Sequence, residues 1–183
     1  MATPHVDPHQ RSQDTRRRVL EMALSLREER TGGSVDHFLA LLQYRLPLWL
    51  SILHDLSHRT GRGRVGDNLL PVVRAGIDYY LEVQSAALPA FTSPNVTVRF
   101  REVVRGLELG PDSEVSPLAD YLRAEQAQGR VAARVDPEAS ARLLLAGCFR
   151  HAYNELFFGA DSGPARDDSA EEIVRELRLE SVT

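Results

Sequence analysis

The sequence predicts an all-α fold, and three observations carry that expectation. Apolar residues recur at helical spacing through most of the chain, no stretch alternates with period two long enough to make a sheet, and Gly, Pro, Ser and Asp stand where helices start and stop.

Residues 1–13, with two prolines and no apolar rhythm, read as a flexible arm. From residue 14 to about 30, Val19, Met22, Ala23 and Leu26 give a first amphipathic helix, which Gly32 and Gly33 break. Ser34 can cap a second helix over 35–58 with a wide apolar stripe through Phe38, Leu42, Leu46, Trp49 and Leu53, and Pro47 is expected to kink it. Residues 59–66, RTGRGRVG, form a loop. Asn68 can cap a third helix, with Pro71 in its first turn and Pro89 at its end. Ser93 and Pro94 open a fourth, stopped by Gly110 and Pro111. Ser116 with Pro117 starts a fifth, which Gly129 ends, and Asp136 with Pro137 starts a sixth that runs to Phe158. Ser169 and Glu172 have capping-box spacing for a last helix to about Leu179.

At 183 residues the chain is long enough for one domain with a sizeable core. No apolar run approaches the roughly 18 residues of a membrane span, and residues 1–15 lack the apolar core of a secretory signal, so a cytoplasmic protein is expected. The single cysteine, Cys148, excludes an internal disulfide and a cysteine-rich zinc cluster. The net charge of −4 argues against a general nucleic-acid binder, but the acids of residues 160–183 account for all of it. The one dense basic run is Arg16, Arg17 and Arg18, which reads either as a local DNA-binding patch or as the solvated face of a helix.

The phrase YLRAEQAQGRV, followed by a DPE helix start and LLLAGCF, resembles the C-terminal half of tetracycline-repressor (TetR) family regulators. The resemblance covers residues 67–179 and, more weakly, 15–30. It implies a homodimer in which an N-terminal three-helix DNA-binding domain is joined to a helical domain that binds a small effector. Residues 1–34 then correspond to an arm and the first helix of the DNA-binding part, and 35–183 to a TetR-like ligand-binding and dimerisation domain. Between its first and fourth helices the family places a helix-turn-helix of several tens of residues; here only residues 31–35 intervene. Five residues span at most ~18 Å, so two helices and a turn cannot fit. Either the protein lacks the DNA-reading elements or an internal segment is missing from this sequence. Operator DNA is a partner only in the second case.

The helix over 137–158 is apolar on nearly every side and needs two covers, its own domain and a partner subunit being the simplest pair. Leu145, Cys148, Phe149 and Ala152 are the expected dimer interface, with the last helix beside them as the resemblance implies. Trp49, Tyr79, Tyr80, Phe100, His151 and Asn154 offer aromatic walls with sparse polar tips, the make-up of an effector pocket, though aromatic residues at helical spacing more often simply pack. His151 and Asn154 stand out because they interrupt an apolar helix and need polar partners. His54 and His58 share a helix face, but no third metal ligand is identifiable. No nucleophile elbow, phosphate loop, dinucleotide motif or other cofactor signature is present, so neither catalysis nor a cofactor is expected.

Overall fold

A computed structural model describes residues 8–27, 33–91, 94, 97–98, 100–101 and 112–180. The fold is all-α, with no strand among the described residues. Six helices are delimited: α1 (Pro8–Arg27), α2 (Gly33–Asp55), α3 (Val65–Ala90), α4 (Asp112–Ala127), α5 (Pro137–Phe158) and α6 (Arg166–Glu176). Short 3-10 turns at Leu56–Arg59 and Ala160–Ser162 follow α2 and α5.

Several expected boundaries shift. Residues 8–13 belong to α1 rather than to a flexible arm, since Pro8 suits a first helical position and the polar residues after it are adequate helix formers. Helix α2 continues through Pro47, and its expected last turn tightens into the 3-10 form. Asn68 is no N-cap: α3 starts at Val65, and the buried Asn68 amide donates to the Arg62 carbonyl (2.7 Å) and the Tyr121 hydroxyl (3.0 Å). Helix α3 ends at Ala90, one residue past Pro89, close to the expected end. Ser116 and Pro117 sit inside α4, which begins at Asp112. Ser169 is also interior, because α6 opens after Pro164 with Asp167 and Asp168 in its first turn, where acids suit the helix dipole. The start of α5 holds: Asp136 accepts from the backbone N–H groups of Glu138 (2.9 Å) and Ala139 (3.1 Å), with Pro137 at the first position. The helix expected over 93–109 lies largely outside the described residues.

By contact the chain divides into two compact units, Met1–Ser51 with Ser85–Gly110, and Ile52–Gln84 with Pro111–Thr183. The first unit buries Val19, Phe38, Leu42, Leu46 and Trp49, and the rings of Phe38, Phe91 and Phe100 cluster edge-to-face at 4.8–5.7 Å. The second unit has the more extensive helix packing. There α4 lies along α5, α6 packs on α5, and the turn after α2 rests on α4. Leu69, Val73 and Ile77 of α3, Leu118 and Leu122 of α4, and Leu144 and Cys148 of α5 are fully buried. Gly147 sets the α5–α6 approach, since a Cβ there would lie 2.9 Å from Cγ1 of Ile173.

Candidate functional site

Helix α5 is apolar almost all round, yet its own unit covers only part of it. Ala141, Leu144, Leu145, Cys148 and Ala152 form the inward row. The outward row runs at spacings of three and four through Leu143, Ala146, Phe149, Tyr153 and Phe157, with Leu143 64% exposed, Phe149 48%, Tyr153 40% and Phe157 51%. Phe158 at the helix end is 71% exposed. Tyr153 and Phe157 stack on one another at 4.5 Å between centroids, and the Arg150 guanidinium sits 6.0 Å over the Tyr153 ring. The exposed row is thus a continuous aromatic stripe rather than scattered apolar residues.

Three of the four expected interface residues lie on the other side. Leu145, Cys148 and Ala152 are buried within the chain, and Phe149 alone belongs to the stripe. Burial pushes the Cys148 thiol up to about 12, so it stays protonated at neutral pH. Its Sγ lies 3.6 Å from the Val73 carbonyl, close enough for a weak hydrogen bond.

The expected effector residues are divided between the units. Trp49 and Phe100 belong to the first, Tyr79, Tyr80, His151 and Asn154 to the second. Tyr80 lines a cleft of about 230 Å³ with Glu114, Val115, Leu145, Ala146 and Phe149. Its hydroxyl donates to the Glu114 carboxylate, and its ring meets Phe149 edge-on at 5.7 Å. Burial, then the Glu114 charge, drives the Tyr80 phenol well above its ordinary range, so it stays protonated and keeps its proton for the Glu114 carboxylate. The two polar residues that interrupt α5 have partners on their own helix. His151 Nε2 is 3.7 Å from Glu155, and the Asn154 side-chain oxygen accepts from Arg150. Glu155 also accepts from Arg166 of α6, whose guanidinium reaches Asp78 of α3 at 2.8 Å. This ionic cluster ties three helices of the unit together.

Arg16, Arg17 and Arg18 are all exposed on α1, with Arg17 paired to Asp14 at 3.1 Å. Among the described residues no three His, Cys, Asp or Glu side chains are grouped to hold a metal, and no helix is long and apolar enough to cross a membrane. The stripe was hard to find from sequence because α5 offers apolar residues on both sides, and only packing decides which side remains free. Compared with known proteins, the chain matches no family model, no curated protein and no solved structure.

Proposed function

We propose that this chain is a homodimeric, ligand-responsive regulator of the tetracycline-repressor kind, dimerising through the outward stripe of α5. The observation that carries the reading is the stripe itself, an aromatic row left uncovered on a helix whose opposite side is fully packed. A fully covered aromatic side chain buries about 150–250 Å², so the three half-exposed rings of Phe149, Tyr153 and Phe157 with Leu143 offer on the order of 400 Å² of apolar surface. That is about half of the ~800 Å² each partner contributes to a standard interface, which is the apolar centre a dimer needs. A second copy supplies the same stripe by two-fold symmetry, and no other partner has to be invoked. The Tyr80 cleft borders the stripe through Ala146 and Phe149 and offers a small, largely apolar effector polar contacts at Tyr80, Glu114 and Arg142, so occupancy there can be felt at the interface.

The spacing of α1 and α2 favours a second reading. Helix α1 ends at Arg27 and α2 starts at Gly33, leaving no room for a helix-turn-helix. A dimeric sensor or sequestering module that does not read DNA fits that spacing. The exposed arginines of α1 would then contact phosphates at most, which positions a protein without reading sequence. Intact mass separates the readings, since a value above 20.4 kDa reveals additional residues.

Sedimentation tests the dimer. The wild-type chain is expected to be dimeric at micromolar concentration, and Leu143→Glu to be monomeric with unchanged helical circular dichroism, because Leu143 is 64% exposed in its own chain and its replacement leaves the fold intact. The melting temperature should fall toward that of the monomer as the association is lost. A wild-type monomer at that concentration would overturn the proposal.

A further inference from the structure

At the other end of the second unit, between the start of α3 and the end of α6, lies a groove of about 620 Å³, within the ~300–1,000 Å³ range of small-molecule sites. Its floor is apolar: Leu70 of α3, Val174 of α6, and Leu179, which is 5% exposed. Its rim carries four guanidinium groups, and their internal pairing is uneven. Arg64 meets Glu180 at 3.5 Å. Arg175 and Arg178 share one carboxylate, that of Glu176, each at 3.3 Å. Arg134 donates only to backbone carbonyls, those of Arg178 (3.2 Å) and Glu180 (3.1 Å), and has no carboxylate within ion-pair distance among the described residues.

The backbone adds a second, independent observation. Arg178 has φ +48°, the only non-glycine residue described in the left-handed region. A side chain there is disfavoured, and such conformations persist where the surroundings impose them. The reversal at Arg178 turns Leu179 into the floor and leaves the Arg178 side chain 79% exposed at the rim. The Ala132 N–H bond to the Leu179 carbonyl, 2.8 Å, and the Arg134 bonds fix that geometry. The segment that closes the groove is thus held by the same arginine whose charge no carboxylate offsets.

From this we infer that the groove binds an amphipathic monocarboxylate, its apolar tail on Leu70, Val174 and Leu179 and its carboxylate on Arg134 and Arg178. Two carboxylates on the rim, Asp67 and Glu171, have no ion-pair partner among the described residues and repel a polyanion, so a polyphosphate is excluded where a single charge is accepted. The site goes beyond the dimer reading: none of its residues lies on the α5 stripe, and either proposal can fail without the other.

Calorimetric titration of the full chain with decanoate, decanol and inorganic triphosphate tests it. Decanoate is expected to saturate at one per chain, decanol to bind at least about tenfold more weakly for want of a charged contact, and triphosphate not to compete. Arg134→Gln should abolish decanoate binding. Because that change also releases the pinned backbone, Arg178→Gly is the second variant: glycine accepts the positive φ, so its melting temperature should not fall, yet decanoate should bind about tenfold more weakly. Equal binding of decanoate and decanol, displacement by triphosphate, or wild-type affinity in Arg178→Gly would each overturn the inference.

Discussion

Glu125 is fully buried, and at the scale of single residues it organises the loop between α2 and α3. Its carboxylate accepts from the Gly61 backbone (3.1 Å) and from Arg130 Nε (2.5 Å). Arg130 also reaches the carbonyls of Arg62 and Gly63, while Asn68 bridges Arg62 to Tyr121. Burial pushes the Tyr121 phenol up to about 12, so it stays a neutral hydroxyl that accepts from the Asn68 amide. Gly61 is required by its φ of +77°, a left-handed backbone that a side chain would strain. Arg130→Met would leave the Glu125 charge buried without its counter-ion, which costs about 3 kcal/mol or more. Urea unfolding should show that loss, and adding Glu125→Gln should restore part of it. Equal stability of wild type and Arg130→Met would mean that water, not Arg130, solvates the carboxylate. The sequence marked RTGRGRVG as a loop but gave no sign that an acid 64 residues beyond Gly61 fastens it, because a buried ion pair leaves no local pattern.

Among the elements, α5 is the one whose limits were most legible. Asp136 and Pro137 start it as the local rules require, and it ends at Phe158 where the apolar pattern placed its end. Ser116 and Ser169 carried equally plausible cap signals and failed, because a serine caps only when the preceding residues leave the helix, and both α4 and α6 had already started. The side of α5 that meets α6 depends on one small residue. Gly147→Ala places a methyl group against three carbons of Ile173 at 2.9–3.3 Å, and two of them, Cγ1 and Cγ2, sit on the stiff β-branched Cβ rather than at a flexible tip. Helix α6 must move, at about 1–3 kcal/mol. Thermal unfolding of Gly147→Ala should show a lowered midpoint, and an unchanged or raised one would mean that Ile173 repacks freely.

For the molecule as a whole, acid is expected to loosen the second unit through the cluster that joins α3, α5 and α6. Hydrogen bonds from Arg166 hold the Glu155 carboxyl below its ordinary 4.5. A carboxylate whose folded pKa is depressed contributes stability that is full above the unfolded value and lost as pH falls through the folded one. Wild type should therefore lose stability as pH drops below about 4.5, and Glu155→Gln should flatten that limb while lowering stability at neutral pH. Parallel acid limbs for the two proteins would assign the loss to other carboxylates.

The sequence by itself determined the fold class, most of the helix order and the full extent of α5, because apolar periodicity, caps and breakers act within a few residues of where they are written. It also singled out α5 as the helix with more apolar surface than one domain can use. Tertiary structure alone decided which side of α5 faces outward, moving the candidate interface from Leu145, Cys148 and Ala152 to Leu143, Phe149, Tyr153 and Phe157. It alone brought Arg134 to the carbonyls of Arg178 and Glu180, more than 40 residues away. Both decisions rest on contacts between segments distant in the chain, and an all-apolar helix or an isolated arginine carries no local preference that could reveal them.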